Sequence, residues 1–222
     1  IIPLPVKPKN DELKGISNSG NQLAENLKKA SDFAQKIGEG NLEADFDAVG
    51  TEDVLGNSLL QMRDKLKAIA NQESKRDWAN KGISDINKML QESNKDLDEI
   101  CRELLIYIVK YIQANQGLFF LVEGDDTENP YLELRSAYAW NRKKYNSKRI
   151  EFGEGLTGQA WAEQDIVYLE EIPDDYIEIT SGLGKANPKS IFIVPLIHNG
   201  NTYGMLELAS FELYETHHID LL

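Results

Sequence analysis

The chain has 222 residues, of which 41% are hydrophobic and 27% charged, with a formal net charge of -13 and a mean hydropathy of -0.45. So acidic a surface disfavours nucleic acid and anionic membranes as partners, since both are polyanions. One cysteine excludes an internal disulfide framework and fits a reducing compartment. No run reaches the ~18–20 apolar residues of a membrane span, and no secretory signal pattern is present.

Pro3, Pro5 and Pro8 make residues 1–10 an extended leader. Leu23, Leu27, Ala30, Ala34 and Ile37 follow a 4-3-4-3 spacing that predicts a first helix. Gly15, Ser17, Asn18 and Gly20 are poor helix formers, and Ser19 with Gln22 has the form of a capping box. The expectation is therefore a frayed start near Asp11 and a firm helix over residues 20–37. Gly38 and Gly40 end it, and residues 40–50 form a connector with apolar pegs at Leu42 and Phe46. A second helix opens behind Thr51, with Glu52 and Asp53 where the helix dipole favours acids.

Leu55, Met62, Ile69, Arg76, Ile83, Leu90, Leu97, Leu104 and Tyr111 stand seven residues apart, and all but Arg76 are apolar or aromatic. No proline interrupts them. The column predicts a long rod that pairs with a second copy in a parallel coiled coil. The expected dimer seam is Leu23, Leu27, Ile37, Leu55, Leu59, Met62, Leu66, Ile69, Ile83, Leu90 and Leu97. Between Ile69 and Ile83 the seam is polar at Glu73, Arg76 and Asn80, and the companion column changes from four residues after the first to three. Such a phase break locally over- or underwinds a coiled coil. It reads either as a loosely packed linker, which Gly82 favours, or as a bistable element.

From about Leu97 the pattern becomes that of an α/β domain. A helix over residues 97–114 precedes strands over 117–123 and 131–140. A basic loop, 142–149, leads to a third short strand ending at Phe152. A short helix over 156–163 and a strand over 166–169 follow. Residues 173–186 read as irregular with short helical turns. Strands over 190–196 and 202–209 are joined by His198-Asn199-Gly200-Asn201, a hairpin signal. The run from Ile191 to Leu196 is continuously apolar, so both its faces are expected to be covered.

Gly153-x-Gly155-x-x-Gly158 matches a dinucleotide fingerprint. The strand before it is too polar for the buried first strand of a nucleotide-binding unit, and no acidic residue closes a second parallel strand. Kinase motifs and a nucleophile elbow are missing. His198, His217 and His218 have no cysteine or glutamate at metal-ligand spacing. Cys101 reads as a small buried residue beside the seam.

Two stretches carry a family resemblance. Residues 20–70, with Gly40-Asn41-Leu42, Glu52-Asp53-Val54-Leu55-Gly56 and the Leu59 to Ile69 seam, resemble a HAMP domain, although the usual entrance proline is absent. That resemblance implies a parallel homodimeric four-helix bundle that passes signals between modules. Phe152-Gly153-Glu154-Gly155-Leu156-Thr157-Gly158-Gln159-Ala160, then Ser190 to Leu196, then Tyr203 to Phe211 resemble a GAF domain. This second resemblance implies a central antiparallel sheet of about six strands, helices on one face and a pocket roofed by short elements on the other. The cyclic-nucleotide signature of such domains is absent, Cys101 is not where a bilin would attach, and a methionine sulfoxide reductase of this fold needs several pocket cysteines.

The expected organisation is a leader (1–10), a HAMP-like relay (11–70), a coiled-coil connector helix (71–96) and a GAF-like sensor domain (97–222). The fold class is α plus α/β. Because the chain opens on Ile1 and closes on Ile219-Asp220-Leu221-Leu222 like a helix cut short, a piece of a longer receptor is expected. The candidate ligand-binding residues are Tyr138, Trp140, Trp161, Tyr168, Tyr176, Ser190, Phe192 and Glu207, because aromatics with a few convergent polar groups make pockets. Glu207, a carboxylate in mid-strand, needs a partner such as Arg135 or a ligand. No cofactor is specified. The expected role is a cytoplasmic, non-catalytic homodimeric relay, within a two-component sensor or similar receptor. It would couple a small-molecule ligand to an effector such as a histidine kinase, cyclase or phosphatase. The alternative is a ligand-free dimerisation scaffold.

Overall fold

In the computed structural model the described residues are 9–48, 53–91, 95–124, 129–138, 149–170, 172, 179–181 and 184–221. The chain divides into two compact units, Ile1–Lys75 and Arg76–Leu222.

In the first unit, helix α1 (Lys9–Gly38) begins well before residue 20. Lys9 and Asn10, expected in the leader, are helical, and the rest of that leader lies outside the described residues. Ser19 sits in mid-helix, not at a cap. Each poor helix former costs under about 1 kcal/mol, too little to stop a helix whose apolar phase already starts at Leu13 and Ile16. Phe33, Ile37 and Ala44 form a buried cluster with Leu42, Phe46, Leu59 and Leu60 against it, so both expected pegs pack. Phe46 stacks on Phe33 with ring centroids 4.6 Å apart. Helix α2 (Val54–Gln91) is capped by Asp53, whose Oδ1 accepts the Gly56 N–H at 2.8 Å; Thr51 lies outside the described residues. Leu23, Leu27, Leu55, Met62, Leu66 and Ile69 are between 39% and 61% exposed in the single chain.

The rod expected through Leu55 to Tyr111 is interrupted. Helix α2 stops at Gln91 and α3 (Leu97–Tyr111) starts afresh. Asp96 caps α3 by accepting the Glu99 N–H at 2.8 Å, with Asp98 and Glu99 in the first turn. The end of α2 and α3 then lie side by side as an antiparallel hairpin. Tyr111 stacks on Trp78 at 4.6 Å and donates its hydroxyl to the Trp78 carbonyl at 2.7 Å. Farther along, the Tyr107 hydroxyl donates to Asp85 at 2.9 Å. The heptad register competes with this aromatic stripe and a good cap, and here the hairpin wins.

Behind α3 the expected antiparallel sheet is present. It comprises β1 (Gln116–Glu123), β2 (Tyr131–Tyr138), β3 (Arg149–Glu151), β4 (Val167–Leu169), β7 (Ser190–His198) and β8 (Asn201–Ser210), in the order β3-β2-β1-β8-β7-β4. Strands β5 (Ile179–Ser181) and β6 (Gly184–Ala186) pair separately, where helical turns had been expected. Helix α4 (Gly155–Glu163) lies between β3 and β4, and α5 (Thr216–Ile219) follows β8. Asn199 and Gly200 both have positive φ (51° and 77°), which gives the β7–β8 turn the type I′ form that matches strand twist.

Both faces of the sheet are covered. Phe119, Phe192, Val194, Leu206 and Leu208 pack with Cys101, Leu105, Ile108 and Val109 of α3. Leu118, Phe120, Ile191, Ile193, Met205 and Ala209 pack on the other side with Ala160 and Trp161 of α4. Burial of such side chains is worth roughly 1.5–3 kcal/mol each, which explains why β7 reads as an unbroken apolar run.

The Tyr107 hydrogen bond holds the Asp85 carboxyl below the ordinary carboxylate range, with Lys81 adding to the effect. Ionised Asp85 therefore favours the hairpin at pH above that range, and the contribution is lost as pH falls through its lowered pKa. Tyr107→Phe is expected to raise the Asp85 pKa toward the ordinary range, measured by carboxyl NMR titration. An unchanged titration would show that the hydroxyl is not the cause.

Candidate ligand site

The face of the sheet away from α3 is roofed by α4, and the loop that launches α4 sets its position. Gly153 and Gly155 have φ of 77° and 62°, conformations that side-chain-bearing residues rarely adopt. The loop's N–H groups are largely turned inward. Gly153 N donates to Gly158 O, Glu154 N to Glu151 O and Gly158 N to Glu154 O, each at 3.0 Å. The Glu151 N–H is taken by the Glu154 side chain at 2.8 Å. A phosphate cradle needs such groups free; this glycine pattern is a turn device.

At its other end α4 is pinned to the β7–β8 hairpin. Gln164 has φ 53° and ends the helix in the left-handed region. Its side-chain amide donates to the Gly200 carbonyl at 3.0 Å and the Thr202 hydroxyl at 3.2 Å. These ties hold the roof over β8. Thr157, one turn into α4, donates its hydroxyl to Glu207 Oε2 at 2.8 Å. Thr157 is 2% and Glu207 1% exposed, so a polar pair sits inside an apolar layer of Ile193, Met205, Ala160 and Trp161. Trp161 lies beside this pair, and Phe152, 58% exposed, meets its ring edge-on at 5.0 Å.

The six expected ligand residues that lie among the described ones do not share one face of the sheet. Trp161 and Glu207 share the roof side. Ser190, Phe192, Tyr138 and Tyr168 lie on the helix side, because side chains alternate along a strand and these have the opposite parity. There Tyr168 stacks on Phe192 at 4.7 Å, and Tyr214 tilts against Phe192 at 4.9 Å. The Ser190 hydroxyl donates to the Glu212 carbonyl at 2.6 Å. Trp140 and Tyr176 lie outside the described residues. Arg135 is not the partner of Glu207. It pairs with Glu123, with Glu133 at 3.1 Å and with Asp98 at 3.5 Å, tying α3 to β1 and β2. The Glu123 hydrogen bond raises the Arg135 pKa further.

Thr157 and Phe152 join the site although neither stood out as a ligand residue. Thr157 is a β-branched polar residue inside a short apolar helix, which was the available signal. A separate cleft of about 310 Å3 lies on the helix side, lined by Trp78, Tyr111, Gln113, Tyr214, His217 and His218 among others. Its aromatic faces are already engaged with one another. Trp78 stacks on Tyr111 at 4.6 Å, while His217 and His218 meet it edge-on at 5.0 and 5.2 Å. Among the described residues no group of three or more His, Cys, Asp or Glu side chains is placed to hold a metal ion.

A six-stranded antiparallel sheet, helices on one face and a short roof helix over a buried polar pair define a small domain with both sheet faces covered. The family model of the GAF domain matches residues 94–222, and the chain belongs to the GAF family of signalling and sensing domains. Similar solved structures include the GAF domain of a phosphoenolpyruvate-protein phosphotransferase from Coxiella burnetii, with 18% identity and a TM-score of 0.51, covering 63% of this chain and 83% of that one. The nlh2 GAF domain of A. aeolicus in an inactive state has 15% identity and a TM-score of 0.50, covering 66% and 86%. The free methionine-R-sulfoxide reductase of Neisseria meningitidis in complex with its substrate has 22% identity and a TM-score of 0.50, covering 64% and 81%. At these identities the likeness shows the fold. No curated protein matches the chain significantly.

Thr157→Val is expected to destabilise the second unit by about 1–3 kcal/mol, because it leaves the buried Glu207 without this donor. Thr157→Ser, which keeps the hydroxyl, is expected to cost less. Urea unfolding of the two variants, followed by circular dichroism, makes the comparison; equal effects would mean that packing, not the hydrogen bond, is what Thr157 supplies.

Proposed function

We propose that this chain is a non-catalytic, homodimeric sensory relay. Its GAF domain takes a small molecule on the roof side, and its N-terminal helices form a HAMP-like bundle. Together they pass a conformational signal to an effector such as a histidine kinase, cyclase or phosphatase. The observation that carries the ligand assignment is the Thr157–Glu207 pair, buried in an apolar layer beneath α4. A buried carboxylate is costly unless partnered, and it supplies the orienting polar centre that small-molecule sites use. The complementary ligand carries a hydrogen-bond donor for Glu207 and an apolar or planar part for Trp161.

Binding without turnover fits the cysteine content. One structural relative is a free methionine-R-sulfoxide reductase, whereas the one cysteine here, Cys101, is buried on α3 across the sheet from Trp161 and Glu207. Burial, reinforced by Asp98, raises the Cys101 thiol pKa, the reverse of what a reactive thiol needs.

Contacts in the first unit support the HAMP-like assignment. Phe46 stacks on Phe33 and packs near Gly56, while Glu43, three residues earlier, reaches Lys67 at 2.6 Å. The connector thus descends along α1 as α2 rises, giving the two helices one direction. The exposed apolar residues at heptad spacing then supply a seam for a second copy. No helix among the described residues is long and apolar enough to cross a membrane.

One observation favours the scaffold alternative. The roof-side layer is tightly filled, with Ile191, Ile193 and Met205 all at 0% exposure, and the cleft described above lies on the opposite side of the sheet. A native mass spectrum distinguishes the two. A dimer with a defined extra mass that Glu207→Ala and Trp161→Ala each reduce is the expected result. An empty dimer, unaffected by either substitution, would favour the scaffold. A monomer at micromolar concentration would overturn both.

A further inference from the structure

The last part of α2 carries two apolar stripes, and the hairpin covers only one. Ala79 is buried, and Trp78 and Ile86 pack against the helix-side core. Ile83 and Leu90, which belong to the seven-residue column, remain 40% and 46% exposed; Leu97, the next member, is 57% exposed on α3. Leu90 and Leu97 are one heptad apart, and no proline or glycine stands between Gly82 and Gly117. The sequence therefore keeps the register of one uninterrupted helix across the point where α2 ends and α3 begins.

Gly82 distinguishes the two arrangements. A Cβ at this position would lie 2.5 Å from Leu221 Cδ1 and 2.8 Å from Tyr111 Cε1, so a side chain here would force Leu221 and the Tyr111 ring to shift in the hairpin. In a straight helix the same glycine merely weakens the helix relative to alanine. The tight approach thus marks the folded-back state, and the continuous heptad column marks a second one.

We propose that the helical arms 76–91 and 97–111 form a two-state hinge. One state is the hairpin. The other is a continuous helix in which Ile83, Leu90, Leu97, Leu104 and Tyr111 make an unbroken seam against a second copy of this chain. The inference rests on the dimeric relay proposed above, because the second copy is what covers the extended seam. Opening releases the Trp78–Tyr111 stack and the Tyr107–Asp85 hydrogen bond and uncovers the outer side of α3. Association through the rod and exposure of the GAF unit's helix face are thereby coupled.

Spin labels at the exposed positions Asn80→Cys and Lys110→Cys, in a Cys101→Ala background of the full chain diluted into excess unlabelled Cys101→Ala chain so that only distances within one chain are read, report the state by pulsed electron resonance. Light scattering on the same samples gives the subunit number. The hairpin keeps the labels within about 20 Å, two helix diameters, whereas thirty residues of continuous helix separate them by about 45 Å. Gly82→Leu is expected to shift the distance from short to long with helix content retained. Adding Lys95→Pro, which cannot continue a helix through that point, is expected to restore the short distance. A dimeric Gly82→Leu variant that keeps the short distance, or one that loses helix content, overturns the hinge while leaving the dimer standing. A monomer in every variant overturns the dimeric relay and the hinge together.

Discussion

The pairing of β7 with β8 is the constraint on which the second unit depends. Phe192 lies opposite Leu208 and Ile193 opposite Glu207, and each pair commits its side chains to one face. A slip of one residue would send Glu207 toward α3 and Leu208 toward the roof. The turn at Asn199-Gly200 closes the hairpin, a one-residue register shift between Leu196 and Ile197 then sets these pairs, and Gln164 holds the turn end from outside by bonding to Gly200 and Thr202. The roof helix is therefore tied to the same hairpin that carries the buried carboxylate beneath it.

Much of this architecture was legible in the sequence. Continuous apolar runs announced strands covered on both faces, and the turn signals placed the hairpin. The candidate site was less legible for a definite physical reason. Aromatic content picks out residues that want burial, but the face on which each is buried depends on strand parity and register. Tyr168 and Phe192 were attractive as pocket residues and turned out to stack with each other on the helix side. Glu207 was conspicuous as a mid-strand carboxylate, and Thr157 of the roof helix, not Arg135, donates to it. Pairing across the sheet is set by long-range geometry that no local spacing encodes.

The helical half shows a different limit. Heptad spacing reports which positions can line up along a straight helix, not whether the chain stays straight. Between Leu90 and Leu97 the pattern is intact, but Asp96 offers a cap and Trp78 and Tyr111 offer a stacking surface. Local propensities differ here by amounts comparable to a single tertiary contact. Two descriptions of the same residues can therefore be close in free energy. The early start of α1 follows from the same balance, since a few weak helix formers were outweighed by the apolar phase around them.

Cys101 sits at 2% exposure between α3 and the sheet, the one thiol in the chain. A maleimide or iodoacetamide added to the native protein can reach its Sγ only during moments when α3 lifts away. Its alkylation rate thus counts the excursions of this core, undisturbed by any competing sulfhydryl. The molecule carries an internal clock for its own breathing.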